Sequence, residues 1–243
     1  MNVALILAAG KSVRMKSDYP KQFLEIFKKP VIMYTLETFQ LHPEIDAILV
    51  VCLDGWHEKL KQMAEASNIT KLKWIVSGGE TGQESVKLGT IELEKHCQPQ
   101  DIVVLHDANR PLVSAEIISD CIAVCRKHGT GISSIPVTAA IGITDDKIST
   151  NNCLQWNKMG LMTMVKPEAY TMEKMVWAYQ EADRRGITDS ITYSTMFIDL
   201  GESVYFALGS EKNVKITRPD DIEIFKALLI ASKQVSLADI NDD

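Results

Sequence analysis

Arg14 and Lys21 lie just beyond a small, apolar run, Val3-Ala4-Leu5-Ile6-Leu7-Ala8-Ala9-Gly10, and Lys21 sits within Pro20-Lys21-Gln22. An apolar strand that opens directly into a small-residue loop leaves backbone N–H groups unshielded, and cations placed beyond it close over a polyphosphate. The pattern predicts a cradle for a nucleoside triphosphate. Two better-known phosphate loops do not fit. Gly10-Lys11-Ser12 ends like a Walker A loop, yet the glycine which that loop needs five positions earlier is Leu5. No G-x-G-x-x-G follows the strand, so a dehydrogenase turn is missing even though Asp54 stands near the place of its ribose-binding acid.

Further candidates come from distant segments. Asp107 follows Ile102-Val103-Val104-Leu105-His106, so its carboxylate emerges at a strand end. Mg²⁺ prefers carboxylate and phosphate oxygens, which makes Asp107 a candidate for ordering a metal ion or substrate hydroxyls. As a turn residue ahead of Pro111 it would instead cap the loop. Lys215 precedes Arg218-Pro219 and, taken alone, reads equally as a guard on an edge strand. Without further context, Arg14 and Lys21 also read as solvated loop charges.

These residues require strands to deliver them. β-branched runs alternate with helical patterns: strands at 3–7, 46–52, 72–76, 102–106 and 131–136, and helices near 30–41, 56–67, 82–96 and 115–128. Strands separated by helix-length segments imply right-handed crossovers and an α/β, mostly parallel, twisted sheet with helices on both faces. Ligands of such sheets bind at the carboxyl ends of the strands, where Gly10 and Asp107 fall. Residues 138–165 break the rhythm with short alternating pieces and no helix signal. A hairpin of that kind is marginal alone, so it predicts an arm supported by a partner subunit. Helices near 167–182 and 219–234, with strands near 204–208 and 213–217, complete the chain.

Composition narrows the setting. The 243 residues suit one domain spanning 1–243, and 26 basic against 32 acidic residues leave a formal charge of −6, which disfavours nucleic acid as a partner. Five cysteines form no C-x-x-C pair. With no disulfide pattern, leader or long apolar span, the expected setting is the cytoplasm, without a membrane partner.

L-A-A-G-x-x-x-R-M-x(4)-P-K-Q, Gly78-Gly79-Glu80 with Glu84-Ser85-Val86, His106-Asp107-Ala108-Asn109-Arg110-Pro111 and Asn213-Val214-Lys215-Ile216-Thr217-Arg218-Pro219-Asp220-Asp221 occur in one order along the chain. In these segments it resembles the sugar-phosphate nucleotidyltransferases, and specifically the methylerythritol-phosphate and ribitol-phosphate cytidylyltransferases. The resemblance covers essentially the whole chain. It implies a nucleotidyltransferase (glycosyltransferase-A-like) fold and CTP-dependent transfer to a small polyol phosphate with Mg²⁺ or another divalent cation. It also implies a homodimer that exchanges the 138–165 arm. It assigns catalysis to Arg14, Lys21 and Lys215, and nucleotide binding to Leu7, Ala8, Ala9, Gly10, Gly78, Gly79 and Ser85 as well as Arg14 and Lys21. Acceptor binding falls to Asp107, Arg110, Thr138, Lys158 and Lys215, with the metal on Asp107. Arg110 is also expected to brace its own loop.

The acceptor side departs from the family pattern. P-V-x-D-T-x-K reads Pro136-Val137-Thr138-Ala139-Ala140-Ile141-Gly142, the returning Arg of the arm is Lys158, the Arg ahead of Ser85-Val86 is Gly82, and T-P-Q reads Lys166-Pro167-Glu168. The expected reaction forms a CDP-polyol from a ribitol 5-phosphate-like acceptor. Methylerythritol 4-phosphate is the alternative acceptor, and an inactive nucleotide-binding relative the second alternative.

Overall fold

The computed structural model describes residues 1–11, 19–154, 160–188 and 190–232. Its strands are β1 (Asn2–Ala8), β2 (Glu25–Ile26), β3 (Lys29–Pro30), β4 (Ala47–Cys52), β5 (Leu72–Ser77), β6 (Ile102–Asp107), β7 (Thr130–Pro136), β8 (Ile141–Ile143), β9 (Asn152–Leu154), β10 (Met162–Thr171) and β11 (Phe206–Leu208). Seven of them form one sheet in the order β11-β7-β10-β6-β1-β4-β5. β1 runs parallel to β4 and β6, β4 to β5, and β11 to β7, whereas β10 is antiparallel to both β6 and β7.

Continuous apolar runs produce this sheet because it is covered on both faces. Every residue of β4 and β6 is buried. Along β1, Ala4, Ile6 and Ala8 pack on one side with α1 (Val31–Leu41), α2 (His57–Ala66) and α4 (Ala115–His128). Val3 and Leu5 pack on the other with α3 (Gly82–Glu94), α5 (Met172–Arg185) and α6 (Tyr193–Asp199). The two-residue period of a strand thus feeds two separate cores. A third, smaller cluster joins Ile26 and Phe27 to Ile216 and to Phe225 and Leu229 of α7 (Pro219–Ala231).

The second half of the chain departs from the sequence expectation. The segment expected as a helix from 167 is strand through Thr171, because Glu168, Ala169 and Tyr170 fill a slot between β6 and β7. The helix starts only where the Thr171 hydroxyl accepts from Lys174 N. Residues 213–217 run without a sheet ladder. They are pinned instead by Asn109, whose carbonyl accepts from Ile216 N and whose Nδ2 donates to the Ile216 carbonyl. α6 was not anticipated; a Thr192–Thr195 capping box starts it. The arm is a short antiparallel hairpin of β8 and β9 with Ile141 opposite Leu154. Its tip is organised by Asp146, which accepts from Ile148 N, Ser149 N and the Thr144 hydroxyl. Among the described residues no helix is long and apolar enough to cross a membrane.

Candidate active site

At the carboxyl ends of β1 and β6 lies a cavity of about 400 Å³. Leu7, Ala8, Ala9, Gly10 and Lys21 form one wall, Gly79 and Ser85 a second, and Asp107 and Lys215 the far end. Gly78 lies just beyond, in an adjoining hollow shared with Ala9 and Lys11. Arg14 and Lys158 lie outside the described residues.

The glycine wall of the cavity is built by close approach. A Cβ on Gly78 would stand 2.1 Å from Ala9 Cβ, so a side chain is sterically excluded there, and one on Gly79 would stand 2.3 Å from Glu84 Cγ and would have to displace the Glu84 side chain. The loop is tied down from α3: Thr81 caps it by accepting from Glu84 N, and Glu84 Oε2 accepts from Glu80 N at 2.6 Å. Ser85 Oγ accepts from Gly79 N at 3.1 Å and donates to the Thr81 carbonyl at 2.9 Å. Its single proton is therefore committed, and what Ser85 still offers a base is one acceptor lone pair. Across the cavity, Gln22 Nε2 donates to the Ala8 carbonyl at 2.7 Å and the Gly10 carbonyl at 3.2 Å. This explains the glutamine after Lys21: it ties the returning limb of the loop to the end of β1, a role that local sequence pattern does not reveal.

The far end of the cavity is organised around Asp107. Its Oδ2 meets Lys215 Nζ at 3.0 Å and accepts from Arg110 Nε at 3.1 Å. Burial opposes ionisation, yet Lys215, Lys166 and Arg110 outweigh it and hold the carboxyl far below the usual range. Arg110 Nη1 also donates to the Asn213 carbonyl at 2.9 Å, and Asn213 Nδ2 to the Lys166 carbonyl at 2.7 Å. These bonds fasten the Lys215 segment and the end of β10 to the Asp107 loop. Arg110 was expected both to bind the acceptor and to brace its own loop; with its side chain 15% exposed and bonded to Asp107 and the Asn213 carbonyl, the guanidinium has the contacts of such a brace. Thr138 is exposed at the root of the arm and does not line the cavity of its own chain.

Lys166 replaces a neutral residue of the family pattern and was not among the expected site residues. Its ammonium lies 2.8 Å from Glu168 Oε2, and Glu168 also accepts from Tyr170 OH at 2.9 Å and Ser194 Oγ at 2.8 Å. The ladder places Glu168 opposite Leu105, so Lys166, two residues back, comes to the Asp107 end of β6. The Lys-x-Glu spacing within a buried strand was the available signal. Beside Asp107, His106 is fully buried; its Nε2–H donates to the Arg110 carbonyl at 3.0 Å while Nδ1 has no partner among the described residues, and burial lowers its pKa to about 4.

Among the described residues, no three metal-ligating side chains cluster. A divalent ion at Asp107 would draw most of its oxygens from the triphosphate and water, which is how Mg²⁺ is ordinarily held. The residues fit that arrangement through Oδ1, since both cationic contacts fall on Oδ2. The four buried or partly buried cysteines make no such site: burial raises the Cys52 and Cys125 thiols to about 12, and Cys121 donates to the Gly131 carbonyl.

An open, mostly parallel sheet whose first strand ends in a small-residue loop, with cations from separate segments gathered at the strand ends, defines a nucleotidyltransferase. The chain belongs to the cytidylyltransferase family described as IspD, 2-C-methyl-D-erythritol 4-phosphate cytidylyltransferase, whose model matches residues 2–231. A ribitol-5-phosphate cytidylyltransferase of Lacticaseibacillus paracasei is 40% identical over 231 residues, covering 94% of this chain and 98% of the relative. A 2-C-methyl-D-erythritol 4-phosphate cytidylyltransferase of Clostridium botulinum is 32% identical over 232 residues, covering 94% and 97%. The crystal structure of the 4-diphosphocytidyl-2C-methyl-D-erythritol synthase of Anaerococcus prevotii shares the fold, with a TM-score of 0.76 and 24% identity over 94% of this chain and 95% of that one.

Proposed function

We propose that this cytidylyltransferase joins CTP to ribitol 5-phosphate or a closely related polyol phosphate, releasing pyrophosphate and forming a CDP-polyol. In the reaction a phosphate oxygen of the acceptor attacks the α-phosphorus of CTP, the new P–O bond forms, and the bond to the pyrophosphate oxygen breaks. No covalent enzyme intermediate is required, so catalysis rests on positioning and on charge placed where the transition state needs it. Lys21, on the loop limb pinned by Gln22, serves the triphosphate side together with Arg14. Lys215 and Lys166 supply positive charge to the incoming phosphate dianion, with Asp107 orienting Lys215 and the substrate hydroxyls. A bound Mg²⁺ would neutralise charge on the triphosphate, held through Asp107.

The observation that carries this reading is the cavity itself, with a glycine-walled nucleotide end and a cation-rich end at Asp107. Ribitol 5-phosphate is preferred to methylerythritol 4-phosphate for two reasons. The 40% identical relative bears that name, and Ala139, Ala140 and Gly142 replace the polar groups of the methylerythritol pattern. Each substrate hydroxyl buried without a partner costs about 1–3 kcal/mol. The exposed arm root, with Thr138, and the arm residue Lys158 act on the neighbouring subunit of a homodimer in this reading. The test is pyrophosphate release with Mg²⁺, CTP and ribitol 5-phosphate, methylerythritol 4-phosphate or glycerol 3-phosphate in parallel. The expected result is the highest kcat/KM with ribitol 5-phosphate; efficient turnover of methylerythritol 4-phosphate instead overturns the acceptor assignment.

A further inference from the structure

Lys21 stands between two rings that rest on one indole. Tyr19, two residues before it, meets Trp56 edge-on with centroids 4.9 Å apart and planes at 89°. Phe23, two residues after it, stacks on Trp56 at 4.3 Å and 14°. Lys59, one turn into α2, closes the group: its ammonium donates to Tyr19 OH at 2.7 Å and lies 4.7 Å from the Trp56 ring centre. Trp56 itself is fixed as the cap residue of α2, its N–H donating to the Leu53 carbonyl at 3.1 Å. Lys21 lines the nucleotide cavity, whereas Trp56 does not. The limb carrying Lys21 is thus gripped from within by Gln22 and from without by Trp56.

We propose that Trp56 is a positioning residue for nucleotidyl transfer: it clamps Tyr19 and Phe23 so that Lys21 is held ready for the triphosphate. The inference rests on the reading of Lys21 given above. Two aromatic contacts of ordinary strength, lost together, correspond to a five- to hundredfold fall in kcat/KM. Such a fall is expected for Trp56→Ala when CTP is varied, with KM for the polyol phosphate within twofold of the parent value. Trp56→Phe keeps the stack on Phe23 and stays within about threefold.

The decisive measurement is a double-mutant cycle. If Trp56 acts through Lys21, Trp56→Ala combined with Lys21→Ala is no slower than Lys21→Ala alone, within about twofold. Losses that multiply instead would overturn the proposal, because a general loosening of the fold adds to the Lys21 defect. Full activity of Trp56→Ala beside a crippled Lys21→Ala also overturns it. Near-normal turnover of Lys21→Ala is a different failure, that of the triphosphate reading. If Trp56→Ala does not fold, an enzyme retaining Trp56 as its single tryptophan, with Trp74, Trp156 and Trp177 changed to Phe, provides the test. Its emission should shift on titration with CTP and stay still with the polyol phosphate alone, and an unmoved emission counts against the clamp.

Discussion

Lys166→Met removes one half of a buried ion pair and leaves the other half in place. Glu168, 2% exposed, keeps only the neutral donors Tyr170 OH and Ser194 Oγ, and the Lys166 side chain that balanced it was itself 10% exposed. Uncompensated burial of one member of such a pair costs about 3–5 kcal/mol. For a chain of this size 1 kcal/mol corresponds to roughly 2–4 °C, so the midpoint of thermal unfolding should fall by about 6–20 °C. Adding Glu168→Gln removes the second charge while keeping an oxygen to accept from one of Tyr170 and Ser194 and an amide N–H to donate to the other hydroxyl, and should return the midpoint to within about 4 °C of the parent. Circular dichroism melts of the three proteins give the comparison, and steady-state kinetics supplies the functional half. The recovered double variant keeps Lys215 and Arg110 but still lacks the Lys166 ammonium near Asp107, so its KM for the polyol phosphate should remain raised by about tenfold while KM for CTP is unchanged. A Lys166→Met protein that melts within 4 °C of the parent, or a double variant as unstable as the single, would refute the account of this pair.

Lys215→Ala should lower kcat/KM about a hundredfold or more, since one preorganised charge in a transition state contributes about 3 kcal/mol; a loss under fivefold in the pyrophosphate assay excludes it from catalysis. His106 is kept neutral in the fold, with its pKa lowered from 6.5 to about 4, so the unfolded chain binds more protons between those values and stability falls as pH drops through that window, by about 1.4 kcal/mol per unit. Urea unfolding from pH 7.5 to 4.5 should show that slope in the parent and lose it in His106→Gln, whose amide still donates to the Arg110 carbonyl. Deleting 141–158 should yield a monomer by light scattering and abolish turnover; an active monomer would show that the arm completes nothing in the neighbouring subunit.

The first half of the fold was legible because its strands are short apolar runs and its helices have clear starts, such as the Ser114 cap of α4. That Ala8 to Gly10 and Lys21 share one cavity was legible for the same reason, since they are near one another in sequence. What escaped depended on distant partners. Glu168-Ala169-Tyr170 reads as a helix opening after Pro167, and only the gap between β6 and β7 makes it strand. The bracing role of Arg110 was expected, but its partner was not, because nothing local reveals that the Asn213 carbonyl waits for it. Gln22 was overlooked because it works through a contact that sequence spacing does not announce, and Lys166 because its Lys-x-Glu spacing is informative only once the segment is known to be strand.

The insertion of β10 between β6 and β7 bears on how the molecule is made. By the time Asp107 has left the ribosome, β1, β4, β5 and β6 can already pair, since their ladders are mutually parallel and sequential in this part of the chain. The free edge of β6, however, is covered only when Thr171 has been added, 64 residues after Asp107. At about 5–20 residues per second that interval lasts roughly 3–13 s. During it, the nascent protein carries an apolar sheet edge that can pair with other chains, and β7, packed on α4, still lacks the strand that joins it to β6. The strand that delivers Lys166 to the active site is therefore also the one that ends this exposed phase of synthesis.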